Sequence, residues 1–245
     1  MEVRIQELGK RYGGVWVLEN INLQFSPGEI VAILGPNGVG KTTLLRCLAG
    51  LVAPNRGQIF YDGIPFRRDD LTIRKRLFFV PDLPILFWDQ TILRNLSIIL
   101  RLCEVSQRPG IVDRVADLLH RFDLLQLIKM PVGRLSRGQI YKTALTALLA
   151  VDPEVWLLDE PFASGMDPIG IRVFREEAKE AARRGRVIVY STQILEIAAQ
   201  LSDRVCLLYN GEVQAFAPIE ELKPVENVPE DQLAKILVEL REQKP

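Results

Sequence analysis

The run Gly35-Pro36-Asn37-Gly38-Val39-Gly40-Lys41-Thr42-Thr43 constrains this chain more than any other stretch. It fits G-x-x-x-x-G-K-[ST], the pattern of a loop that cradles phosphate. Residues 29–34, with five apolar positions after Glu29, read as a short buried strand, and residues 43–50 open as a helix. A strand, a glycine-rich turn and a helix start are what such a loop needs. The glycines let the backbone curl until successive N–H groups point at an anion. The helix start adds unpaired donors and the positive end of its dipole. Lys41 is placed to reach the outer phosphates and the Thr42 hydroxyl to ligate Mg²⁺.

The 245 residues suffice for one large domain, or one domain with a subdomain, around a sizeable core. Lys plus Arg and Asp plus Glu each total 31, so bulk charge offers no support for a nucleic-acid partner. Cys47, Cys103 and Cys206 are far apart and outside any C-x-x-C pair, and read as reduced core residues. His120 is the single histidine, too few for a histidine metal site or catalytic triad, and reads as a helix-surface or packing residue. No signal peptide is expected, because residues 1–4 run straight into an alternating strand, and no apolar run approaches bilayer-spanning length.

In chain order, residues 3–8 alternate like an edge strand, residues 10–14 read as a turn, and residues 18–25 alternate again. Residues 58–61 form a strand entering a hairpin at Asp62-Gly63. Residues 77–80 read as a buried strand closed by Pro81-Asp82. From about 91 to 151 the period is helical, with Leu93, Leu96 and Leu100 on one face and Val115, Leu118, Leu119 and Phe122 on another. Residues 155–158 return to the core as a strand buried on both faces, with Asp159 and Glu160 at its carboxyl end, where parallel sheets place ligand chemistry. A helix over 168–184, strands over 187–190 and 205–208, and a hairpin at 210–212 follow. Leu233, Ile236, Leu237 and Leu240 form a stripe on a short terminal helix. Ser136 and Gly138 stand at a helix start; alone they read as a cap, or as a second anion site.

The order and spacing of these motifs resemble the nucleotide-binding subunits of ATP-binding cassette (ABC) transporters, over about residues 3–222. Leu135-Ser136-Arg137-Gly138-Gln139 is similar to the family signature L-S-G-G-Q, with Arg137 at its more variable position. Leu157-Leu158-Asp159-Glu160-Pro161 resembles the Walker B segment and Ser164-Gly165-Met166-Asp167-Pro168 the D-loop. Tyr12 matches the aromatic that stacks on adenine. The resemblance implies an α/β fold: a P-loop NTPase core with an antiparallel β subdomain (residues 1–81 and 152–220), an inserted helical signature subdomain (82–151) and a tail (221–245). It also implies ATP and Mg²⁺ as cofactors, with Thr42, Asp82 and Asp159 around the metal. Lys41, Glu160 and Gln193 then carry catalysis, while Ser136, Gly138 and Gln139 embrace the ATP of a paired cassette. The partners implied are a second cassette, identical or homologous, and membrane-spanning subunits in separate chains, on the cytoplasmic face of the membrane.

Two positions depart from the family pattern. Asp82 stands where glutamine is usual; a carboxylate still suits a hard cation but adds negative charge near the phosphates. Gln193 stands where histidine is usual; its amide donates a hydrogen bond but carries no charge, so slower turnover is expected. Other readings are a soluble superfamily ATPase or a weakly hydrolysing regulatory clamp. Neither a tandem cassette nor a coiled-coil insertion is visible, and the motif style is more like compact exporter-type cassettes.

Overall fold

The computed structural model describes residues 1–163 and 165–222. Its strands are Val3–Tyr12 (β1), Val15–Phe25 (β2), Ile30–Leu34 (β3), Arg56–Tyr61 (β4), Ile64–Pro65 (β5), Leu77–Val80 (β6), Val155–Leu158 (β7), Val187–Thr192 (β8), Arg204–Tyr209 (β9) and Glu212–Pro218 (β10). Its helices are Lys41–Leu48 (α1), Leu71–Arg74 (α2), Ile92–Leu102 (α3), Ile111–Arg121 (α4), Arg137–Val151 (α5), Pro168–Arg183 (α6) and Leu195–Leu201 (α7).

Six strands form one sheet in the order β10-β9-β3-β8-β7-β6, parallel except for the β9–β10 hairpin. Every residue of β3, β7 and β8 is buried, because both sheet faces are covered. Alternate side chains serve different cores. Ala32, Leu158 and Tyr190 point to the face packed by α5, α6 and α7. Val31, Leu157 and Val189 point to the other, where α1 and a second sheet lie.

That second sheet runs β2-β1-β4-β5, all antiparallel. Here β1 departs from its reading as an edge strand: β2 and β4 flank it, and irregularities in its pairing beyond Ile5 break the alternation that sequence reasoning relied on. Lys10, Arg11 and Tyr12 continue β1, and the turn is confined to Gly13-Gly14. Strand β6 departs the other way. It is the outer strand of its sheet, and Leu77, Phe78 and Phe79 are half-buried. The terminal stripe from Leu233 to Leu240 lies outside the described residues.

Between β6 and β7 the chain is helical. Helix α5 is buried almost throughout, as a helix apolar on every side must be, with the sheet on one side and α3 and α4 on the other. Leu96 and Leu100 are buried on α3, whereas Leu93, assigned to the same face, is half exposed. Glu177 of α6 is buried and paired with Arg114 and Arg121 of α4. The loop leading into α3 is held by one buried amide. Asn95 accepts from the Phe87 N–H at 2.8 Å and donates to the carbonyls of Phe87, Gln90 and Thr91 at 3.0–3.2 Å. Leu86 packs into the core, while Ile85, Phe87 and Trp88 face outward.

Arg76, just before β6, ties three elements together. It donates to Glu154 at 2.7 and 2.8 Å and to Asp62 in the β4–β5 turn at 2.6 Å. Hydrogen bonds from Arg76, against burial, hold the Glu154 carboxyl below its ordinary value. Burial pulls Asp62 upward, but the Glu2 N–H and Arg76 outweigh it and its value is also lowered. A carboxylate whose folded value is depressed stabilises the fold above its ordinary value, and that stability fades as pH falls through the depressed value. Arg76→Gln is therefore expected to cost about 1 kcal/mol near neutrality, the group being a third exposed. Urea melts from pH 7 down to 3 should show the gap between wild type and variant closing below about pH 4.

Candidate functional site

The parallel register brings the site together. Leu34 pairs with Thr192, and Leu158 with Tyr190, so β3, β7 and β8 end on one edge of the sheet. The next residues from these ends are Gly35, Asp159 and, beside it on β8, Ser191. Asp159 opens onto a cleft of about 400 Å³ that is also lined by Gly38, Lys41, Thr42, Asp82 and Glu160 together with Val17, Asn37, Gly40, Thr43 and Arg46.

Two glycines of the loop are sterically required. A Cβ on Gly35 would stand 2.4 Å from the Leu208 carbonyl oxygen. Gly40 caps α1 at φ +107°, and a Cβ there would stand 2.7 Å from Leu18. Because Gly40 offers no side-chain acceptor, the first-turn N–H groups of α1 have no side-chain cap. Pro36 and Val39 complete the loop.

Lys41 is buried, and its ammonium donates to the carbonyls of Gly35 (2.8 Å) and Pro36 (3.1 Å). It also stands 3.1 Å from Glu160 Oε1, an ion pair outside hydrogen-bonding angles. Thr42 Oγ1 is within 2.8–2.9 Å of both Asp159 carboxylate oxygens. Ser191 Oγ donates to Asp159 Oδ1 at 2.7 Å and accepts from the Glu160 N–H at 2.9 Å. Glu160 has φ +47°, a left-handed conformation unusual for a residue with a side chain. The Ser191 bond holds that turn.

Apart from Asp82, the other sequence candidates lie outside the lining of this cleft. Ser136 caps α5 reciprocally with Gln139: its hydroxyl accepts from the Gln139 N–H, and Gln139 Oε1 accepts from the Ser136 N–H. Gly138 packs so close that a Cβ would meet the Gly165 carbonyl oxygen at 2.4 Å. Lys142, one and a half turns along α5, is buried and bonded to Asp167, the cap of α6, at 2.6 Å. The signature helix and the segment after Glu160 are thus one packed unit. Ser164 lies outside the described residues. Gln193 is exposed just after β8. Tyr12, 47% exposed, ends β1 with the Lys10 ammonium 4.9 Å from its ring centre. Asp82 lines the cleft, but its carboxylate pairs with Arg137.

Sequence reasoning missed Ser191. The available signal was a hydroxyl at the end of a buried strand, two positions before Gln193. It also missed Arg46 and Val17, which nothing but the fold brings to the cleft.

A family model described as ABC transporter matches residues 18–163. The chain belongs to the ABC transporter family. It is an ATP-binding subunit of that family and an ATPase. The ABC-type transporter ATP-binding protein EcsA of Bacillus subtilis is 30% identical over 84% of this chain and 83% of its own. The lantibiotic transport ATP-binding protein SrtF of Streptococcus pyogenes is 30% identical over 86% of this chain and 88% of its own. The sulfate/thiosulfate import ATP-binding protein CysA 2 of Rhizobium meliloti is 35% identical over 91% of this chain, which spans 61% of that longer relative. Among solved structures, an ATP-binding subunit of an ABC transporter superposes with TM-score 0.87 at 26% identity, over 98% of this chain and all of that one. The dimeric post-hydrolysis state of the cassette MJ0796 bound to ADP and Pi superposes with TM-score 0.79 at 27% identity, over 89% and 98%.

In the ABC subunit's site Ser191 bonds the Asp159 carboxylate and the Glu160 backbone N–H. Its replacement by alanine should leave the buried Asp159 short of one donor and free the strained Glu160 turn. ATP turnover is expected to fall about tenfold, the worth of a hydrogen bond to a charged group, with ATP affinity changed far less. Steady-state hydrolysis beside equilibrium ATP titration separates the two.

Proposed function

We propose that this subunit pairs with a second cassette, a copy of itself or a homologue, around two ATP molecules, and that closure moves membrane-spanning subunits in separate chains. The observation carrying this reading is the division of the site. One cleft gathers the phosphate loop with Asp159 and Glu160, whereas Ser136, Gly138 and Gln139 are absent from its lining among the described residues. A complete site then needs the signature of a second chain. The dimeric solved cassette supports the reading.

Within the site, Lys41 exchanges its loop carbonyls and Glu160 for the outer phosphates and offsets charge developing on them. Glu160, released from Lys41, orients the attacking water as its general base. Gln193 offers an amide toward the terminal phosphate, and Tyr12 stacks on the adenine. Thr42 and Asp159 offer adjacent hard oxygens on the cleft, a donor set suited to Mg²⁺, whereas the Asp82 carboxylate on the same cleft is engaged by Arg137. That ion would neutralise phosphate charge. Phosphoryl transfer needs little more than such positioning.

The membrane-facing surface we assign to residues 83–89. Among the described residues no helix is long and apolar enough to cross a membrane. Yet Ile85 is 90% exposed, and Phe87 and Trp88 are about half exposed. Beside them a cavity of about 330 Å³ is lined by Leu51, Phe78, Pro84, Ile85 and Ile99. Exposed apolar surface around a groove suits a partner helix. The domain division given above and a position on the cytoplasmic membrane face belong to this reading.

Hydrolysis that rises faster than linearly with protein concentration, and is abolished by Glu160→Gln with ATP still bound, is the expected outcome of a titration of the purified chain. Linear dependence at all concentrations would count against pairing. Phe87→Asp is expected to weaken co-purification with the membrane subunits at least tenfold while ATP affinity stays within twofold.

A further inference from the structure

Three carboxylates, Asp82, Asp159 and Glu160, face two cations, Lys41 and Arg46, across the cleft. That balance opposes a polyphosphate. Asp159 is answered by the hydroxyls of Thr42 and Ser191, and Glu160 by Lys41. Asp82 has no such partner among the other lining residues. Its partner comes from outside: Arg137, the first residue of α5, pairs with it across 55 positions of sequence. These are the two positions at which the chain carries a charge that the motifs it resembles do not.

We propose that Arg137 is a positioning residue for nucleotide binding, compensating the Asp82 carboxylate in cis and so removing a third negative charge from the phosphate cleft. The same pair fixes the start of the signature helix onto the exit of β6. The Asp82 charge therefore opposes the phosphates only where Arg137 does not answer it. Both side chains are about half exposed, so the effect is modest and sensitive to salt. The proposal rests on the reading that this cleft takes the phosphates of ATP.

The test is an equilibrium titration of the full chain with ATP, with and without Mg²⁺, at low and high ionic strength. It compares wild type, Arg137→Gly, Asp82→Asn, the double variant and Lys41→Ala. Arg137→Gly is expected to weaken binding about threefold at low salt, with the loss disappearing at high salt. Asp82→Asn should bind at least as tightly as wild type, and the double variant should match Asp82→Asn. A purely structural role for Arg137 would leave its loss undiminished by salt and unrescued by Asp82→Asn, and either result overturns the proposal. So does unchanged affinity in Arg137→Gly at low salt. Loss of affinity in Asp82→Asn only when Mg²⁺ is present would make Asp82 a metal ligand and overturn it as well. Unchanged affinity in Lys41→Ala would instead overturn the underlying reading of the cleft.

Discussion

Asp159 is 3% exposed, and among the described residues its carboxylate has no cation as a hydrogen-bond partner. A bare buried carboxylate is expensive, and this one is made tolerable by hydroxyls from two different elements, Thr42 at the start of α1 and Ser191 on β8. That requirement binds the site together. The helix after the phosphate loop and two neighbouring strand ends must all arrive within hydrogen-bonding distance of one side chain. The parallel register delivers two of them, and the glycine-built turn from Gly35 to Gly40 delivers the third. Glu160 then inherits its position, because the Ser191 hydroxyl serving Asp159 also receives the Glu160 N–H. The strained backbone at Glu160 is held by a bond whose other half stabilises its neighbour.

Much of this was legible because it is local. A loop with its strand before and helix after is encoded within twenty residues, and so are the carboxylates at the end of an apolar run. Strands β3, β7 and β8 announced themselves as continuous apolar segments, the pattern that burial on both faces imposes. What escaped was set by pairing across the chain. Whether β1 is an inner or an outer strand depends on where β4 returns, some fifty residues later. Ser191 looked unremarkable in sequence because its role exists only once β7 lies beside it. Arg137 read as a variable signature position and Asp82 as a metal candidate. Their meeting across the helical segment is a property of the fold.

The two cores divide the labour of the molecule. One face of the large sheet holds α1 and the antiparallel sheet, a rigid seat for the phosphate loop. The other carries α5, whose capped start, packing against Gly165 and Lys142–Asp167 bond join the signature to the segment following Glu160. A movement of the signature helix therefore reaches the carboxylate end of β7 through packed atoms.

The Asn95 amide gives the outer loop a mechanical character. Four hydrogen bonds from one buried side chain clamp a stretch whose apolar groups nonetheless point outward. A soft loop would dissipate a push from a body seated on it. This one is built as a stiff arm, and a displacement imposed on it would pass into α3, which carries Asn95, and toward the exit of β6, where Asp82 lines the cleft.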